Sequence, residues 1–143
     1  MSLSHATLVT VQSAFAPDMY TQADVKRLLG VSNPVVGKLL AAPHIQTRRL
    51  LLPASPDDAG PMPEENLAQL HQKFLTAIDT FGVEAAEKAL AAAKFTAADV
   101  KVVVTVTSSG LALPAMSAIL MKKMGLNRKA HRSDLVGMGC NAG

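Results

Sequence analysis

The amino-acid sequence predicts an α/β protein with a largely parallel or mixed central sheet. Three observations carry that expectation: the β-branched run VKVVVTVT at residues 100–107, a last strand candidate SDLVG at 133–137, and capped helical segments before and between them. The run at 100–107 is the most β-branched in the chain and reads as a strand buried on both faces.

From the N-terminus, TLVTV at 7–11 is a short β-rich run, and Pro17 closes the segment after it. In YTQADVKRLLG, Thr21 stands at an N-cap with Asp24 three residues on and Gly30 just past the end, which brackets a short helix. SNPVVGKLLAAP repeats the pattern, with Asn33 as cap, Pro34 at the first helical position and Pro43 after the stop. TRRLLL at 47–52 reads as a strand. Residues 53–63, PASPDDAGPMP, hold four of the eight prolines and form a loop.

Beyond the loop, Leu67, Leu70, Phe74, Ile78 and Phe81 recur at three- and four-residue steps and mark an amphipathic helix that Gly82 ends or kinks. VEAAEKALAAAKF continues in strong helix formers, and TAAD at 96–99 caps a short turn before the strand at 100–107. SSGLALP is then a loop, Pro114 opens the helix AMSAILMKKMG, and the chain leaves SDLVG through a strand-to-helix turn at GMGCNAG. Strand-to-helix turns are frequent seats of nucleophiles.

Composition narrows the function class. The 143 residues have the size of one domain, 1–143, with enough apolar residues for a core. A net charge of +3 from 14 basic and 11 acidic residues indicates neither nucleic acid nor a membrane surface. Lys122, Lys123, Arg128, Lys129 and Arg132 do cluster, without interleaved aromatics to stack on bases; they form a solvated patch or a seat for a phosphate-bearing substrate. One cysteine excludes an internally disulfide-stapled fold, and no signal-peptide pattern or membrane-length apolar run is present, so the expected location is cytoplasmic.

That cysteine, Cys140, is the candidate nucleophile. A thiol attacks as its thiolate, which N–H groups and the dipole of a helix N-terminus stabilise, and Gly139, Ala142 and Gly143 leave room for a carbonyl to approach. From the residues alone, a buried small hydrophobe is the favoured reading, since a lone cysteine between glycines is a weak signal. His5, His44, His71 and His131 have no metal-ligand spacing, and no metal is expected. Ser108 and Ser109 lack a nucleophile elbow, Asn141 reads as a packing residue, and Met116, Met121 and Met124 read as core or interface gap-fillers.

TVTSSGLALPAMSAILMKKMGL followed by HRSDLVGMGCNAG resembles the segment leading to the active-site cysteine of type III polyketide synthases, the chalcone-synthase-like branch of the thiolase superfamily. Thr107, Ser109, Gly110 and Pro114 match the family's T-S-G-x-x-x-P loop, and Gly139, Cys140, Ala142 and Gly143 match its G-C-x-A-G. YTQADV is similar to the family's first helix and IQTRRLLLP to its arginine-containing strand. The preceding RSD makes the stretch most similar to the bacterial 3,5-dihydroxyphenylacetyl-coenzyme A synthases.

The resemblance implies a thiolase-like fold, layered α-β-α-β-α, of which residues 1–143 are the N-terminal portion of the first half. It implies an acyltransferase that condenses malonyl-coenzyme A by decarboxylative Claisen chemistry onto an acyl group held by Cys140. Ser108 then lines the acyl pocket, and Leu113 reaches across a homodimer interface. The donors for enolate and oxyanion, a histidine and an asparagine, come from the family's C-terminal portion. The expectation is therefore that a second polypeptide completes a nicked, autocleaved or separately encoded enzyme; coenzyme A thioesters are substrates, and no bound cofactor is implied.

One departure concerns those substrates. Plant members hold coenzyme A phosphates with several basic residues on the second helix, where this chain offers Lys38, with Arg48 and Arg49 nearby as binders or as strand-end charges. A ketoacyl synthase III-like enzyme fed by carrier-protein thioesters, and a non-catalytic subunit of a condensing assembly, are the alternatives.

Overall fold

A computed structural model describes residues 6–41, 44–53, 61–108 and 110–137. The chain divides into two compact units, one of Phe15–Leu70 and one of Met1–Ala14 with His71–Gly143.

In the first of these, β1 (Met19–Thr21) pairs antiparallel with β2 (Thr47–Arg49), placing Tyr20 opposite Arg48. Thr21 ends the strand and caps α1 (Gln22–Leu28): its Oγ1 accepts from the Asp24 N–H at 3.1 Å while its own N–H donates to Asp24 Oδ2 at 2.9 Å. The hydrogen bonds from the Thr21 side chain and backbone, with Arg27 nearby, hold the Asp24 carboxyl below its ordinary range despite slight desolvation. The helix buries Val25 and Leu28, and Gly30, at φ +59°, takes the left-handed conformation that stops it. α2 (Pro34–Leu40) starts as its sequence indicates, with Asn33 Oδ1 accepting from the Val35 N–H at 2.8 Å.

Two expectations change here. TLVTV forms no strand; Leu8, Val9 and Val11 are exposed, and a β-rich run becomes a strand only where another pairs with it. The strand expected at 47–52 stops at Arg49, because its partner β1 has only three residues to offer. β1 itself escapes sequence reading, since three residues are too few to show a period of two.

In the other unit, α3 (Leu67–Ala77) runs through a wide π turn, Ile78–Gly82, into α4 (Val83–Ala93). Gly82 therefore does not end the helix; it closes the π turn. A Cβ there would lie 3.4 Å from Leu120 Cδ2, so the glycine instead admits a neighbouring side chain. Thr96 and Asp99 form the expected capping box on a 3₁₀ turn at Ala97–Asp99.

β3 (Val102–Thr107), α5 (Met116–Met124) and β4 (His131–Val136) follow as a βαβ unit, with β3 and β4 parallel and in register from Val102–His131 to Thr107–Val136. The core is formed by Ile78, Ala112 and Leu120, with Phe74, Leu75, Val83, Met116 and Ile119 packed against it. β3 is not buried on both faces as its composition suggests: Thr105 is buried, whereas Val102 and Val104 are each 58% exposed. Successive residues alternate between faces, and among the described residues this sheet has two strands and cover over one face only.

Candidate functional site

Parallel pairing sends the chain out of β3 and β4 at the same edge of the sheet, the edge at which α/β proteins bind their ligands. Thr107 ties the two exits together. Its carbonyl accepts from the Gly137 N–H at 2.9 Å, and its hydroxyl accepts from the Gly110 N–H at 3.2 Å. Gly137 has φ +75°, so the chain turns sharply as it leaves β4.

The loop beyond Thr107 is folded over by its own small residues. Gly110 lies so close against Phe74 that a Cβ at that position would run into the ring, and Ala112 enters the core at 5% exposure. Ser108, Leu111 and Leu113 are left exposed, Leu113 at 87%, followed by a cis bond to Pro114. The expected substrate-lining pair, Ser108 and Leu113, thus sits on the loop at the candidate edge, free of the core. Pro114 precedes the helix rather than opening it, since Ala115 is the N-cap. Ser109, Met138 and the nucleophile candidate Cys140 with Asn141 lie outside the described residues.

Ala115 offers α5 no side-chain cap; the cap comes from β4 instead. Asp134 Oδ1 accepts from the Ser117 N–H at 2.9 Å, Oδ2 accepts from Ser117 Oγ at 2.6 Å, and Thr105 Oγ1 donates to Oδ1 from the neighbouring strand. Thr105 and Asp134 are register partners, and Ser117 is fully buried. Sequence reading misses this cluster. Its one signal is a carboxylate in the middle of a strand candidate, a local conflict that asks for partners.

Partial burial pushes the Asp134 carboxyl up, but the hydrogen bonds from the Ser117 and Thr105 hydroxyls and the Ser117 N–H, with the charge of Arg132, outweigh it, and the group titrates below its ordinary 3.8. The unfolded chain therefore binds this proton at higher pH than the folded one. Its stabilisation is full above about pH 5 and is lost as pH falls through about 4 towards the folded value. Denaturant midpoints measured across that window should fall less steeply for Asp134→Asn than for the wild type; equal slopes would remove the carboxylate from acid stability.

The remaining candidates lie on different elements. Of the basic cluster, Lys123 pairs with Asp79 at 2.7 Å, while Lys122, Arg128 and Arg132 line a groove of about 590 Å³ with Ala118, Met121, Gly125 and Leu126. Lys38 is exposed on α2. Arg49 donates to the carbonyls of Ala16 at 3.2 Å and Pro17 at 2.8 Å, and Arg48 Nε donates to Gln22 Oε1 at 3.1 Å, so both arginines brace their own unit. His44, His71 and His131 are exposed. Among the described residues, no group of three or more His, Cys, Asp or Glu is arranged to hold a metal ion, and no helix is long and apolar enough to cross a membrane.

The chain is 34% identical over 135 residues to a 3,5-dihydroxyphenylacetyl-CoA synthase of Amycolatopsis orientalis, covering 93% of this chain and 36% of that relative. It is 29% identical over 144 residues to a 1,3,6,8-tetrahydroxynaphthalene synthase of Streptomyces peucetius subsp. caesius, covering 96% of this chain and 37% of that one. The chain thus spans little more than a third of the length of these relatives. Among solved structures, the 1,3,6,8-tetrahydroxynaphthalene synthase of Streptomyces coelicolor A3(2) superposes at a TM-score of 0.73 with 17% identity, over 92% of this chain and 38% of that one. The C-terminal type III polyketide synthase domain of Steely1 from Dictyostelium superposes at 0.77 with 21% identity, over 94% and 40%. The fold is therefore thiolase-like, represented by its N-terminal portion. Residues 40–143 match the family described as chalcone and stilbene synthases, N-terminal domain, and the chain belongs to that family of type III polyketide synthases.

Proposed function

We propose that this chain supplies the nucleophile of a type III polyketide synthase-like acyltransferase. The observation that carries the reading is the Thr107 junction, which holds the T-S-S-G loop and the strand leading to G-C-N-A-G at one edge of a parallel sheet. Cys140 follows Gly137 by three residues, a length of chain that spans no more than about 11 Å.

In this reading the Cys140 thiolate attacks the carbonyl carbon of an acyl-coenzyme A thioester, and the coenzyme A thiolate leaves. Malonyl-coenzyme A then loses carbon dioxide, the electron pair of the broken C–C bond becomes an enolate, and its carbon attacks the Cys140 thioester to release Sγ. Ser108 lines the space for the acyl group, and Leu113 reaches across the homodimer interface into the cavity of the second copy. Donors to the enolate and oxyanion belong to the part of the relatives' length that this chain does not span, as does much of the homodimer expected for the completed unit. The exposed Val102 and Val104 face of β3, in a fold built of covered layers, supports a working unit with more cover than this chain provides.

The test is intact-mass analysis of the native assembly before and after incubation with acyl- and malonyl-coenzyme A, followed by peptide mapping. An acyl adduct on Cys140 is the expected result, and a wild-type assembly that forms none, or forms it on another residue, overturns the reading. A second reading, delivery by an acyl carrier protein, is favoured by the engagement of Arg48 and Arg49 inside their own unit, which leaves Lys38 as the basic residue of α2. Faster acylation from carrier-protein than from coenzyme A thioesters would select it.

A further inference from the structure

The carboxylate of Asp134 gathers three elements at one point. It is on β4, it receives the Thr105 hydroxyl from β3, and it receives both the N–H and the hydroxyl of Ser117 from the first turn of α5. Each of these donors comes from the elements that flank the loop between Thr107 and Ala115. That loop is anchored at its start by the Gly110–Thr107 bond and at its middle by Ala112 in the core. Its far end is held by Asp134, because Ala115 supplies no cap.

We infer that Asp134 is a positioning residue for the condensing site: it fixes the first turn of α5, and with it the loop carrying Ser108 and Leu113, against the strand edge that leads to Cys140. The inference rests on the condensing-enzyme reading above. An apolar residue in its place would leave the Ser117 N–H and hydroxyl and the Thr105 hydroxyl, on two buried residues, without their acceptor. What a carboxylate adds is direction. Two oxygens that satisfy three donors allow one rotational setting of α5 over the sheet, and a negative group at the helix N-terminus complements its dipole. The carboxylate acts on the loop and not on the thiol, so its loss displaces the acyl pocket and leaves the nucleophile's reactivity in place.

Two variants of the native enzyme assembly test this. Asp134→Asn keeps an oxygen for the Ser117 N–H and removes the acceptor for its hydroxyl; Ser117→Ala removes the hydroxyl and keeps the carboxylate. In both, the KM for the starter thioester is expected to rise about tenfold, as a small misplacement of a binding element allows, and the ratio of products of different chain length to shift. The rate at which iodoacetamide alkylates Cys140 is expected to stay within about twofold of the wild type. Lower melting temperatures with unchanged KM and product ratio would show a merely structural carboxylate and overturn the inference. An alkylation rate that falls with binding would overturn it too, by placing Asp134 in the thiol's own machinery. Should Asp134→Asn fail to fold, Ser117→Ala decides by the same readouts. A wild type that never acylates overturns the underlying reading, whereas an acylating wild type with unaltered variants overturns this inference alone.

Discussion

Cys140→Ala is expected to abolish the acyl-enzyme adduct and to lower condensation by roughly 10³-fold or more, the scale on which loss of a covalent nucleophile is felt when the rest of the site remains. Cys140→Ser is expected to fall nearly as far, because a hydroxyl lacks the thiol's ready ionisation near neutral pH. The other reading of this residue, a small buried hydrophobe, makes the opposite forecast. A packing cysteine changed to alanine costs on the order of 1 kcal/mol of stability and leaves turnover almost intact. Single-turnover acylation measured beside a denaturant midpoint separates the two: lost acylation with a native midpoint identifies the nucleophile, and retained acylation removes it.

The second large effect concerns Gly110, where the constraint is space. A methyl group added there would overlap the Cε2, Cδ2 and Cζ atoms of the Phe74 ring. The ring cannot simply swing away, since it packs against the cluster of Ile78, Ala112 and Leu120. Gly110→Ala therefore overpacks the base of the loop and is expected to cost about 1–3 kcal/mol, with a loss of starter binding as the loop lifts. The double-mutant cycle gives the sharper check. Phe74→Leu alone destabilises by making a cavity, but combined with Gly110→Ala it should recover part of the loss, giving a coupling on the order of 1 kcal/mol. Additive effects would mean that the ring and the glycine do not meet as the structure shows. Packing thus explains the glycine of the T-S-G-x-x-x-P motif: an aromatic ring from α3 occupies the place of its side chain.

Much of the local structure is legible in the sequence. The capping boxes at Thr21–Asp24 and Thr96–Asp99, the Asn33–Pro34 start and the Gly30 stop all appear where their residues indicate. The amphipathic period from Leu67 to Phe81 does lie along helix, though through a π turn that the pattern does not reveal. The family is also legible, because its two motifs are short, fixed in spacing and local. Less legible are features that depend on a distant neighbour: the absent strand at 7–11, the three-residue β1, and the exposed face of β3. One local signal is hidden by its surroundings. Asn66 exchanges hydrogen bonds with Gln69 at 2.9 and 3.0 Å just before α3, a cap pattern that the preceding prolines obscure.

By itself, then, the sequence determined where helices start and stop, which strand is most β-prone, and that the Thr107 and Cys140 motifs belong to a condensing-enzyme family. Tertiary structure decided that Thr107 joins the exits of both strands at one sheet edge, that Arg48 and Arg49 brace a unit, and that a carboxylate on β4 caps a helix 17 residues before it. The division follows the range of the interactions. A cap, a turn or an amphipathic stripe is settled by groups three or four residues apart, whereas strand pairing and a half-buried carboxylate are settled by whichever distant donors the fold delivers to them.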